Sequence, residues 1–254
     1  MLGKLIKYEI PALGRKLVPL YIAWAATAVL LGVAVGNVAS KSEFLMVLSG
    51  LLYAGVATAV FVMGIVMIVQ RYSSSLLGDE GYFYHALPVT ATEHIASKTI
   101  SAVVWVLLSF AAMAVTGILI AIFGGALPEL LKFDWAELFR EIDAIELLIF
   151  IEVIIAGVLS MAKSILAIYA ALAIGHQAQR RTSLASIGAY LAVLAFESIV
   201  GRICFGIFPH LIREPGSQGE FALLILAASV VTILIGGFYF YICKTLMENR
   251  LNLN

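Results

Sequence analysis

Six stretches of twenty or more apolar residues run through this chain, and they leave few folds open to it. Residues 17–36, 44–69, 100–124 and 221–243 contain no Asp, Glu, Lys or Arg. Residues 147–173 and 185–208 are as long and carry one acid and one base each. A helix rises about 1.5 Å per residue, so about 20 residues cross a hydrocarbon layer about 30 Å thick. A segment in lipid must satisfy its own backbone, which leaves helices or closed barrels. Barrel strands alternate lumen-facing and lipid-facing residues, and these runs do not alternate. The expected fold is an all-α polytopic membrane protein, one domain over residues 1–254 with six transmembrane helices. Composition agrees: 62% of residues are hydrophobic and 13% charged, against about 45–50% and about 25% in soluble domains. That excludes a soluble enzyme and a disordered chain. With 16 basic and 16 acidic residues the clustered basic excess of a nucleic-acid binder is missing as well.

Charge placement orients the bundle. An even number of spans puts both termini on one side, and basic residues favour the cytoplasmic side. With the termini inside, ten bases fall in cytoplasmic segments: Lys4, Lys7, Arg15, Lys16, Arg71, Lys98, Arg180, Arg181, Lys244 and Arg250. Four fall outside: Lys41, Lys132, Arg140 and Arg213. Cytoplasmic termini and a cytoplasmic-membrane location are expected. A signal-peptide core is about 7–15 residues long. Residues 17–36 exceed that and follow sixteen residues of different character, so they are expected to be a retained span. Cys204 and Cys243 would sit in opposite leaflets, unbonded, and two cysteines make neither a disulfide scaffold nor a thiolate zinc site.

Between the spans, three segments carry pattern. In residues 1–16, Leu2, Ile6, Ile10 and Leu13 form one helical stripe with Lys4, Lys7, Arg15 and Lys16 mostly off it. That suits an N-terminal amphipathic interfacial helix with its cations near anionic lipid, or simply a basic topology signal. The loop between spans two and three is richer. Gly78 and Gly81 flank Asp79 and Glu80, Pro88 forbids helix just before it, and Thr90 with Glu93 reads as a capping box. A helix from about residue 91 is therefore expected to lead into span three. Tyr82, Phe83 and Tyr84 beside the two acids make either a docking surface for a soluble partner or an aromatic belt on the lipid interface. In the outer loop, Trp135, Leu138, Phe139 and Ile142 follow helical spacing behind Asp134 and Glu137. An outer amphipathic helix lying over the mouth is expected there.

Charges within spans are expensive and so attract functional suspicion. In an antiparallel hairpin of spans four and five, residues at equal depth have nearly constant index sums. Lys163 matches Glu197, and Glu152 matches Arg202, about a turn centred near residue 179. Rotation is less kind. At about 100° per residue, Glu152 and Lys163 share a face, whereas Glu197 and Arg202 lie about 140° apart. At least one couple is expected to form, either as packing glue or as lining of a substrate route.

Catalytic signatures are missing. There is no GxxxxGK[ST] phosphate loop and no HExxH. His85, His94, His176 and His210 lack a metal-ligand spacing, so no metal site and no catalysis are expected. Gly32-x-x-x-Gly36 permits close helix packing of the kind seen in membrane dimers.

The stretch Leu77-Gly78-Asp79-Glu80-Gly81-Tyr82, then Leu87-Pro88-Val89, then Lys98 before span three, resembles membrane-spanning permease subunits of type-2 ABC exporters, in particular a group from Gram-positive bacteria. The order of features along the whole chain is similar too. The resemblance implies a cytoplasmic coupling helix between spans two and three, within residues 72–92, that seats in a separate ABC ATPase subunit. Gly78, Asp79, Glu80, Gly81, Tyr82 and Pro88 become the contact residues. ATP and Mg²⁺ would then belong to the partner, with none held by this chain. A second permease, identical or related, would complete the transporter, and the cargo would be amphipathic or hydrophobic, such as an antimicrobial peptide or a lipid. The alternative is a non-transporting scaffold or sensor subunit that recruits a cytoplasmic partner through the same loop.

Overall fold

The computed structural model describes residues 2–36, 43–77, 89–132, 140, 142–178, 181–211 and 218–249, and among these all regular structure is helical. We number the helices α1 (Leu2–Gly36), α2 (Glu43–Tyr72), α3 (Ala91–Phe123), α4 (Leu127–Lys132), α5 (Ala144–Gly175), α6 (Thr182–Leu211) and α7 (Gln218–Asn249). All but the six-residue α4 are long and apolar enough to cross a membrane. The apolar runs set these helices, but polar residues extend them: α3 begins nine residues before the run at 100, and α7 continues six residues past 243.

The N-terminal stripe has a different fate from the one expected. Residues 2–36 form one continuous helix that passes through Pro11 and Pro19, so no separate interfacial helix precedes span one. Proline removes one ladder hydrogen bond each time, a loss that spanning helices accommodate. The later half of the stripe packs inside the protein. Leu13 joins Leu17, Met67 and Trp105 in a buried cluster, with Ile10, Leu20 and Tyr21 packed against it.

The chain divides into two compact units. The first, Lys4–Ile68 with Val104–Arg140, holds most of α1 and α2 and the later part of α3. Here bare backbone meets bulky neighbours. A Cβ on Gly14 would lie 2.8 Å from the Trp105 ring, and the indole nitrogen donates to the Ile10 carbonyl at 3.1 Å. A Cβ on Gly32 would lie 2.8 Å from that of Phe123, and one on Gly36 2.6 Å from the Phe123 carbonyl oxygen. The Gly32–Gly36 motif is thus used inside the chain, pressing α1 onto α3, and its close approach is not left open for a second copy. Trp24 contacts Tyr53 and Phe61 by ring packing, and Phe61 contacts Phe110. After Phe123 the helix stops in a Schellman turn: Gly125 takes φ +87°, its amide reaches the Ile122 carbonyl, and the Ala126 amide reaches that of Ala121.

The second unit comprises Met1–Gly3, Val69–Val103 and Glu141–Asn254. α5 is its centre and packs on both α6 and α7. Two contacts fix each register. Against antiparallel α6, Gly175 lies so close to Ser186 that no Cβ would fit, and Lys163 meets Glu197. Against α7, Glu146 accepts from Gln218 at 3.1 Å, and Gly236 sits beside the Lys163 stem. α5 begins at Asp143, whose amide donates to Glu146 at 3.3 Å. The Asp134–Glu137 box and the stripe Trp135, Leu138 and Phe139 lie outside the described residues; Ile142 is described and exposed. Cys204 and Cys243 are both free thiols.

Candidate functional site

The sequence singles out two places: the loop after α2 and the charges within α5 and α6. Of the loop, Gly78, Asp79, Glu80, Gly81, Tyr82 and Pro88 lie outside the described residues, as do the rings Phe83 and Tyr84. Its two flanks are described. On the entering side, a π turn, Ser73–Leu77, continues α2, and the Ser75 hydroxyl donates to the Arg71 carbonyl. Wide turns of this kind often sit beside functional segments. Tyr72 is fully buried just before it, stacked on Tyr169 of α5 with ring centroids 3.9 Å apart.

On the leaving side the capping box forms as its residue types require. The Thr90 amide donates to Glu93 at 3.2 Å, and the Glu93 amide donates back to the Thr90 hydroxyl at 3.3 Å. Two of the free donors at the start of α3 are thereby satisfied. His94, Ser97, Lys98 and Ser101 follow at spacings of three and four and are all buried. So one face of the first turns of α3, though polar, is packed against protein. The loop is therefore framed by helix ends that are either stacked or capped.

The intramembrane charges resolve unequally. The Lys163 ammonium lies 2.7 Å from Glu197 Oε2, and the Tyr239 hydroxyl donates to Glu197 Oε1 at 3.1 Å. Each carboxylate oxygen has its own donor, and three helices meet in one polar cluster. Gly236 lies beside it: a Cβ there would stand 3.7 Å from that of Lys163, in ordinary contact with the lysine stem. Phe196 and Phe238 pack beside the cluster, with ring centroids 6.1 Å apart.

Glu152 and Arg202 make no ion pair among the described residues. Glu152 keeps a buried Oε2 without a hydrogen-bond partner, while Arg202 is exposed on α6. The reason is register. Index sums of 360 and 361 hold at Lys163–Glu197 and Gly175–Ser186, and Glu152 with Arg202 falls six or seven short, an axial miss of about 9–10 Å. The 140° turn between Glu197 and Arg202 adds to it.

Sequence reasoning missed Tyr239. The signal was present: one more polar ring in an apolar span, Gly237-Phe238-Tyr239-Phe240, about one turn from the depth of Lys163 once α5 and α7 run parallel. Among the described residues no three of His, Cys, Asp and Glu converge in a way that would hold a metal ion.

No protein-family model, curated protein or solved structure matches the chain.

Proposed function

We propose that this chain is the membrane-spanning subunit of an ATP-driven exporter of the type-2 ABC class, working with a nucleotide-binding ATPase on a separate polypeptide. One stretch of sequence carries most of the weight: Leu77-Gly78-Asp79-Glu80-Gly81-Tyr82 with Leu87-Pro88-Val89, placed between two spanning helices. Its acids and rings suit a soluble partner's groove, and its flanks suit force transmission. α2 is stacked through Tyr72, and α3 is capped through Thr90 and Glu93, so a push on the loop reaches both helices with little slack. The basic-residue count supports a cytoplasmic side for the loop and both termini, in the cell membrane. The cargo class is amphipathic or hydrophobic, and a second permease copy or a related permease completes the assembly.

The test is co-purification. The tagged chain, co-expressed with an ABC ATP-binding subunit from the same genome, is expected to retain that subunit through detergent extraction. Asp79→Lys/Glu80→Lys is expected to lose it at unchanged membrane yield. Equal retention by the charge-reversed chain would remove the loop from the interface. Retention without any substrate response of ATP hydrolysis would point to a scaffold rather than a transporter.

A further inference from the structure

We infer that the Lys163–Glu197–Tyr239 cluster borders a water-filled polar site halfway across the membrane, in which Lys163 binds an acceptor oxygen of an amphipathic ligand. Depth is the first reason. Lys163 lies ten residues inside the nearer end of its apolar run at 173, and Glu197 eleven or more inside both ends of 185–208. Those separations are about 15 Å or more, so the side chains do not reach a headgroup layer by stretching along the helix.

Exposure is the second reason. The side chains of Lys163 and Glu197 keep 16% and 24% of their surface open. Charges open to hydrocarbon cost several kcal/mol, and such residues almost always face a bundle interior or a wet cavity.

Hydrogen-bond capacity is the third reason, and it specifies the ligand chemistry. An ammonium has three donors. Among the described residues one is used, by Glu197 Oε2, while the carboxylate is engaged at both oxygens. The unspent capacity is therefore donor capacity, suited to a carbonyl, ester or phosphodiester oxygen. The cluster itself is neutral overall, one cation against one anion, which favours a neutral or zwitterionic molecule over a strongly charged one. Ser160, three residues before Lys163 and exposed on α5, lies about one helical turn from it on a neighbouring face. This site is argued from α5, α6 and α7 alone and does not depend on a motor binding the loop.

Thiol labelling in membranes tests it. In a Cys204→Ser/Cys243→Ser background, Lys163→Cys and Ser160→Cys are compared with Ile199→Cys, which is exposed on α6 at the same depth as Ser160. A charged methanethiosulfonate reacts with thiolate in water and not with a thiol in lipid. Ser160→Cys, which keeps the ion pair and guards against misfolding of Lys163→Cys, is expected to react at least tenfold faster than Ile199→Cys. Lysophosphatidylcholine, zwitterionic and rich in acceptor oxygens, is expected to slow that labelling at least threefold, and dodecane is not. The protection is expected to vanish in Ser160→Cys/Lys163→Met. Labelling of Ser160→Cys as slow as that of Ile199→Cys overturns the site. Protection that survives Lys163→Met overturns the role of the lysine.

Discussion

The two units hold their helices together by opposite means. In Lys4–Ile68 with Val104–Arg140, bare glycine backbone presses against Phe123, Gly14 admits the Trp105 indole, and two neutral hydrogen bonds join the helices, Tyr21 with Ser109 and Tyr53 with Thr116. In the other unit an ion pair and a tyrosine hydroxyl tie α5, α6 and α7 at mid-span. Lipid tails are as apolar as leucine, so spanning helices associate by close fit and modest hydrogen bonds. In the first unit, close fit and neutral hydrogen bonds serve at mid-span, and its buried acid, Glu9, lies near the start of α1. The mid-span charges of the second are an added expense.

Breaking the ion pair from one side has the largest expected effect. Lys163→Ala leaves a partly buried carboxylate uncompensated, a loss of about 3–5 kcal/mol in proteins generally. Replacing both partners, Lys163→Met/Glu197→Met, is expected to stay within about 1 kcal/mol of the parent, because apolar substitution of a whole buried pair is often neutral. Reversible unfolding in mixed micelles measures both. A double variant as unstable as the single one would make the cluster structural, like the glycine contacts.

The contrast also shows what could be read in advance. Six spans were legible because apolar runs of that length have one use, and the Thr90–Glu93 box was legible because both partners lie within one helical turn. What a stripe packs against was not. Leu2, Ile6, Ile10 and Leu13 announce one apolar face whether it meets lipid or Trp105, and Gly32 and Gly36 announce a close approach without naming Phe123. The Lys163–Glu197 couple followed from depth alone. Glu152 with Arg202 failed on a register error of a few residues, which the Lys163–Glu197 and Gly175–Ser186 contacts fix.

Next in size comes the close approach in the first unit. Gly36→Leu drives a side chain into the Phe123 carbonyl, backbone that cannot rotate aside, and is expected to destabilise by about 1–3 kcal/mol. Gly55→Leu, where a Cβ meets nothing within 4 Å, is the control and is expected to be near neutral. Equal effects at the two positions would mean that α1 and α3 are not held by close fit.

The smallest effect belongs to the loop's flank. Thr90→Ala removes a cap worth about 1 kcal/mol. It is expected to raise amide exchange over residues 91–94 and leave the middle of α3 unchanged. No change at 91–94 would show that Glu93 alone secures the helix start.

The exporter proposal depends most directly on which side of the membrane presents Asp79 and Glu80. A single cysteine placed at Asp79 in the Cys204→Ser/Cys243→Ser background, probed with a membrane-impermeant maleimide, decides it. The expected result, with the chain expressed without its ATPase, is strong labelling in inverted vesicles and none in intact cells. Labelling of intact cells, or protection from the reagent on both sides, would contradict the proposal, because no cytoplasmic ATPase could then grip the loop.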